Sequence, residues 1–178
     1  MSVPPVASPP PATHLDVALT VNDVGHEVHV EVRRSLADTL RDDLGLTGTH
    51  LGCEHGVCGS CTVLLDDAPV RSCLVLAVQA DGRRVTTVEG LADGEELHPV
   101  QQGCLERHAF QCGFCTPGML MSAVALLAED PAPDEATVRE ALSGNLCRCT
   151  GYQSIVAGVL RGAELARRPA AAGPPREG

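Results

Sequence analysis

Nine of the 178 residues are cysteines, and eight of them fall into two groups of four: Cys53, Cys58, Cys61 and Cys73, then Cys112, Cys115, Cys147 and Cys149. Closely spaced cysteines serve either as disulfide frameworks or as metal ligands. An odd count is awkward for a disulfide framework. Residues 1–13 (MSVPPVASPPPAT) have no basic start and no apolar run, and no twin-arginine pair precedes residue 33, so no signal peptide is expected. No stretch approaches the roughly 18 apolar residues of a membrane span. These features predict a cytoplasmic chain whose thiols stay reduced. Its cysteines then read as metal ligands.

The first group lies in GCEHGVCGSC (52–61) with Cys73 beyond it, a C-x4-C-x2-C-x11-C spacing. This is the spacing of a plant-type [2Fe–2S] site. Three thiolates on one loop can wrap one side of a cluster while the fourth arrives from a neighbouring strand. A cluster held by four thiolates is anionic and is stabilised by backbone N–H groups aimed at sulfur. The interleaved glycines let the backbone come close and take positive φ. Zinc favours paired C-x2-C knuckles, and the x4-then-x2 spacing speaks against it. The second group runs QCGFCTPG (111–118) and GNLCRCTGY (144–152), a C-x2-C pair followed by a distant C-x-C pair. Spacing by itself leaves zinc and a cluster both open there. Cys115 and Cys149 each precede a predicted helix, whose positive N-terminal end would face an anionic centre.

The elements that must position these ligands change character once along the chain. From 14 to 91 the pattern is mostly of period two. Residues 14–21 (HLDVALTV) and 26–32 (HEVHVEV) alternate about a turn at 22–25, which predicts a hairpin. Ser35 to Asp38 resembles a capping box opening a short helix to about residue 44. Residues 62–65, 72–78 and 85–88 read as further strands. From about residue 95 the period becomes helical, with helices predicted over 99–108, 117–129, 135–142 and 152–166. Thr116-Pro117 offers an N-cap followed by Pro at N1, and Thr150 could cap the last helix. The fold class is therefore α+β, with domains at 14–91 and 95–166, a linker at 90–96, and disordered tails at 1–13 and 167–178. No internal repeat is seen.

Composition sets further limits. Hydrophobic residues make up 44% of the chain but aromatic residues only 2%, with no Trp. Few large rings are available to anchor a core, and bound metal is a candidate contributor to stability. A formal charge of −10 argues against nucleic acid as a partner, since phosphate binding needs a basic surface. There is no phosphate loop and no convincing nucleotide fingerprint.

Taken in order, GCEHGVCGSC, RSC (71–73), QCGFCTPG and GNLCRCTGY resemble the small iron–sulfur subunit of the molybdenum hydroxylases, the xanthine oxidase family. The resemblance runs from about residue 14 to 166. It implies a β-grasp, plant-ferredoxin-like domain followed by a four-helix [2Fe–2S] domain, each holding one cluster on its own four cysteines. It implies a large partner subunit carrying molybdenum–pterin and a medium one carrying FAD. The Cys112 group would then face molybdenum and the Cys53 group would face FAD, with electrons passing in that order. By the same resemblance Gln111 and Cys149 contact the pterin. The chain would not be catalytic alone; the assembled enzyme would oxidise a small substrate with water as the oxygen source. A stand-alone two-cluster electron carrier is the alternative, in which Gln111 would have no purpose.

Some residues fall outside this scheme. Cys104, where the family usually has a small residue, reads as a small buried helix residue. His55 reads as a loop residue near solvent, since all four cysteines of its site are present. His98 and His108 bracket one helix as packing or capping residues. Arg148, between two ligands, could meet an interface carboxylate or offset cluster charge. Arg167-Arg168 reads as solvation.

Overall fold

A computed structural model describes residues 13–168. The predicted disordered tails lie outside the described residues, apart from Thr13, Arg167 and Arg168. Thr13 already belongs to the sheet margin, where its carbonyl accepts from the Val32 N–H at 3.0 Å. Arg167 is the C-cap of the last helix, and its guanidinium donates to the Pro131 carbonyl.

β1 (His14–Val21) and β2 (Val24–Glu31) pair antiparallel over their full length, His14 opposite Glu31 and Val21 opposite Val24. Asn22 and Asp23 turn the chain with φ of 49° and 65°, the left-handed pair that matches strand twist in a two-residue hairpin. Alternation then buries Val17, Leu19 and Val21 on one face. Ser35 accepts from the Asp38 N–H at 3.0 Å and opens α1 (Leu36–Asp38), as its capping pattern predicts. The helix widens at once into a π-type turn, Thr39–Asp43, closed by the Leu44 N–H on the Thr39 carbonyl. β3 (Thr62–Leu65), β4 (Ala68–Arg71) and β5 (Arg84–Thr86) complete a five-stranded mixed sheet in the order β2-β1-β5-β3-β4. β5 runs parallel to β1, and the other pairs are antiparallel.

The strand predicted over 72–78 is not formed. Ser72–Leu74 and Ala77–Ala80 are 3-10 turns, and the strand lies upstream in β4. Ala77 and Ala80 are both fully buried, a spacing of three that suits a helical turn rather than a strand. The signal for β4 was weak because its turn is Asp66-Asp67, at φ of 47° and 69°, without glycine. Its Pro69 is tolerated because β4 is a sheet edge.

Four helices follow: α2 (Pro99–Glu106), α3 (Thr116–Glu129), α4 (Glu135–Ala141) and α5 (Gln153–Ala166). α2 and α5 approach across glycines. A Cβ on Gly103 would lie 2.4 Å from the Gly162 nitrogen, and one on Gly162 would lie 2.7 Å from the Val100 Cα. Val100, Met119, Leu120, Ile155 and Val159 form the helical core. α3 lies on the sheet through Leu64, Met121 and Ala125. Leu91, in the predicted linker, is partly buried against that cluster and against the helical core. Val, Leu and Ala fill the sheet core, and the helical core adds Met119, Ile155 and cysteines, consistent with the scarcity of rings; Phe114 is 47% exposed.

Candidate metal centres

The loop bearing Cys53, Cys58 and Cys61 leads into β3, and Cys73 sits in the 3-10 turn after β4. Ser72 brings the last of these to the others. Its hydroxyl donates to the Cys61 carbonyl at 2.7 Å, and its N–H does so at 3.3 Å. Cys61 thereby lies close enough to raise the Cys73 thiol, and Cys58 close enough to lower that of Cys53. Backbone N–H groups converge on sulfur. That of Cys58 reaches the Cys53 Sγ at 3.3 Å, joined by those of His55 and Val57. These donors, Cys58 first and then His55, hold the Cys53 thiol down at about 6. Gly56, at φ of 84°, gives its N–H to Cys73. Burial nevertheless pushes Cys73 up to about 11, with the hydrogen bond and the charge of Cys61 adding to it.

The second group is assembled from two separate connections. Cys115 is the N-cap of α3, and Cys147 and Cys149 lie between α4 and α5. The Cys112 and Cys149 sulfurs are 3.5 Å apart, and Cys147 lies close enough to raise the Cys115 thiol. The Phe114 N–H, then Cys149, lowers the Cys112 thiol, and that shared bond raises Cys149. Burial pushes Cys115 up to about 12. Burial also opposes ionisation of Cys147. The Thr150 hydroxyl, 3.2 Å from its sulfur, and the N–H groups of Cys149 and Thr150 outweigh this, and its thiol is lowered.

Within each group the thiols lie close enough to shift one another's acidity. Among the described residues no three Cys, His, Asp or Glu side chains converge as a group that could hold one metal ion. Four neighbouring cysteine sulfurs, with backbone N–H groups aimed at them, fit a [2Fe–2S] group, in which each iron takes two thiolates. On binding metal the buried thiols would release their protons to solvent.

The two groups meet along one seam. The Leu146 N–H, one residue before Cys147, donates to the Cys58 carbonyl at 2.8 Å. Phe114, between Cys112 and Cys115, stacks on His50 with ring centroids 5.0 Å apart. A Cβ on Gly52 would lie 3.1 Å from the Phe114 ring and 3.2 Å from the Cys58 Sγ. Asn145 and Arg71, quoted in the motifs but given no role by sequence reasoning, are central to the seam. Arg71 donates to the Gly144 carbonyl at 2.7 Å and to the Thr62 hydroxyl at 2.5 Å.

Gln111 is exposed beside Cys112, and Cys149 is exposed as well. His55 is exposed, and its ring donates to the Cys53 carbonyl. His98 caps α2 by accepting from the Val100 N–H at 3.2 Å. His108 follows α2, exposed, at φ of 48°. Cys104 is 4% exposed, and a Cβ on Gly158 would lie 3.0 Å from its Sγ. Arg148 is exposed and forms no ion pair with the described carboxylates. Two predicted caps differ. Thr116 is already helical and its buried Oγ1 has no partner, so Cys115 takes the cap position. Thr150 accepts from the Tyr152 N–H at 3.1 Å. Tyr152, at φ of 70°, occupies the N-cap of α5 without a side-chain cap bond.

Residues 19–92 match the family of 2Fe-2S iron-sulfur cluster binding domains, and residues 87–160 match the [2Fe-2S] binding domain family. The nicotine 6-hydroxylase small subunit of Paenarthrobacter nicotinovorans is 56% identical over 155 residues, covering 87% of this chain and 93% of that one. The chain belongs to the small iron–sulfur subunits of the molybdenum hydroxylases. Quinoline 2-oxidoreductase from Pseudomonas putida 86 has a chain of the same fold, at 53% identity and a TM-score of 0.84, with coverage of 88% and 98%. Aldehyde oxidoreductase from Desulfovibrio desulfuricans ATCC 27774 matches at 41% identity and a TM-score of 0.82, over 85% of this chain but 17% of that much longer one. The small subunit of a molybdenum hydroxylase binds iron–sulfur and is not itself the catalytic chain of its oxidoreductase. No helix among the described residues is long and apolar enough to cross a membrane.

Proposed function

We propose that this subunit carries electrons through two [2Fe–2S] centres, one on Cys53, Cys58, Cys61 and Cys73 and one on Cys112, Cys115, Cys147 and Cys149. When bound, such a group takes up and releases one electron at a time. The observation that carries this reading is the seam: the Leu146 N–H bonds the Cys58 carbonyl at 2.8 Å, so one ligand loop touches the other. Electrons tunnel poorly over long gaps, and two ligand sets in contact suit a relay.

The electrons come from molybdenum–pterin on a large partner subunit, enter at the Cys112 group beside Gln111, and leave from the Cys53 group to FAD on a medium subunit. Gln111 and Cys149 touch the pterin. Their exposure beside Cys112 supports a role at a partner's surface. The apolar residues Val57 and Leu74, 59% and 60% exposed beside the first group, suit an exit face covered by protein. The chain works as a β-grasp ferredoxin-like domain at 14–91 joined to a four-helix domain at 95–166, within a cytoplasmic complex.

Co-purification tests this. Isolated from its source, the chain should bring a molybdenum-containing partner and an FAD-containing one, with about four iron atoms per chain. Isolation alone with iron would favour the stand-alone carrier. Gln111→Ala should keep the iron and lower the molybdenum content; unchanged molybdenum would count against its pterin contact.

A further inference from the structure

We infer that Asn145 is a positioning residue that fixes the separation of the two cysteine groups by holding the Leu146 N–H on the Cys58 carbonyl. This rests on the reading above, in which each group carries a cluster.

Asn145 is 2% exposed and lies two residues before Cys147. Its carboxamide NH2 donates to the Gly59 carbonyl at 3.0 Å, between Cys58 and Cys61, and to the Thr62 hydroxyl at 3.4 Å on β3. Its carboxamide oxygen accepts from the Ser122 hydroxyl at 3.0 Å on α3 and from the Arg71 guanidinium at 3.3 Å. Arg71 stands two residues before Cys73. One side chain therefore meets both ligand loops, the strand that follows the first loop, and the helix that follows Cys115. Its own backbone carbonyl accepts from the Tyr152 hydroxyl at 3.3 Å, and that hydroxyl accepts from the Cys147 N–H at 2.9 Å.

The geometry leaves little freedom at this point. A Cβ on Gly59 would lie 2.6 Å from the Gly144 carbonyl oxygen and 2.7 Å from the Asn145 amide nitrogen. A Cβ on Gly118 would lie 2.1 Å from the Gly59 carbonyl oxygen. The Gly59 carbonyl accepts from a side-chain amide in this position. A carboxylate would bring oxygen against oxygen, and an apolar side chain would leave the Gly59 carbonyl only its local donors, the Thr62 hydroxyl at 2.6 Å and the Thr62 N–H at 3.1 Å, with nothing reaching it from a side chain of the Cys147 segment. With Gly59 held, the neighbouring Cys58 carbonyl lines up on Leu146, and the two ligand sets keep one distance.

The test uses the cluster-loaded full chain. With both centres reduced, two nearby spins split each other's EPR signals, and the splitting reads their separation. Hydrogen exchange of the Leu146 amide reads the seam itself. Asn145→Asp keeps the size and the acceptor for Ser122 and Arg71 but removes the donor to Gly59. It should keep two EPR signals, lose or shrink the splitting, and exchange Leu146 about tenfold faster. Asn145→Ala should do the same. A variant that keeps the wild-type splitting, or keeps Leu146 protected, overturns the inference. Should both variants fail to load iron, the wild-type chain still decides. A Leu146 amide that exchanges like an open loop, or two uncoupled wild-type signals, overturns it. A wild-type chain with fewer than two [2Fe–2S] signals instead defeats the functional reading on which it rests.

Discussion

The two cysteine groups reach the same donor set by opposite routes. On the sheet side three ligands share one loop, and the fourth is tied to Cys61 by Ser72. On the helix side two pairs separated by α3 and α4 are brought together by helix packing and by tertiary hydrogen bonds such as that of Ser122 to Asn145. Acidity does not follow the route: each group mixes lowered and raised thiols. Cys53, surrounded by loop N–H groups, is held at about 6 while buried Cys73 rises to about 11. On the helix side Cys112 and Cys147 are lowered while Cys115, buried at the head of α3, rises to about 12. A local loop can preorganise a thiolate by itself, and in both groups the buried member needs metal to ionise.

The largest effect should come from removing a ligand. Cys112→Ser is expected to abolish the EPR signal of the helix-side centre and spare the sheet-side one. Loss of both would erase the contrast, because the groups would then not form as separate sites.

A smaller effect should follow from pressing on the seam. Alanine normally stabilises a helix relative to glycine by about 1 kcal/mol. In Gly118→Ala the new Cβ would meet the Gly59 carbonyl oxygen at 2.1 Å, and overpacking against backbone by about 3 kcal/mol should win. Urea denaturation should show net destabilisation; a neutral or stabilised variant would mean that α3 and the sheet-side loop are not in firm contact.

The mildest experiment leaves the sequence intact. In the metal-free chain at pH 7, iodoacetamide should label Cys53 well ahead of Cys115, read by peptide mass spectrometry. Cys53 ionises in the folded chain at about 6 against an ordinary 9.0. Its depressed value contributes stability above about pH 9 that is lost as pH falls through 6. Labelling of Cys53 should fade over the lower end of that range, while Cys115 stays a thiol throughout. Equal rates would remove the asymmetry in acidity.

Much of this molecule was legible in its sequence because the informative signals are local. The hairpin at β1 and β2, the Ser35 cap, the four helices and the spacing of the first cysteine group all depend on neighbouring residues. The misreadings arose where tertiary context decides. Residues 72–78 are apolar enough for a strand, but burial of Ala77 and Ala80 on one side makes them turns. β4 hides behind an Asp-Asp turn and a proline. Thr116 looks like a cap, yet the helix starts one residue earlier and leaves its Oγ1 without a partner. Asn145 could not be singled out from the sequence, because its partners Gly59, Thr62, Arg71 and Ser122 lie far from it along the chain.

Two [2Fe–2S] centres in electronic contact within one small subunit have a direct signature in the reductive titration of the wild-type chain followed by EPR. Two distinguishable rhombic signals are expected, each integrating to about one spin per chain, which split one another once both centres are reduced. A single signal, or a colourless chain containing zinc, would contradict this arrangement.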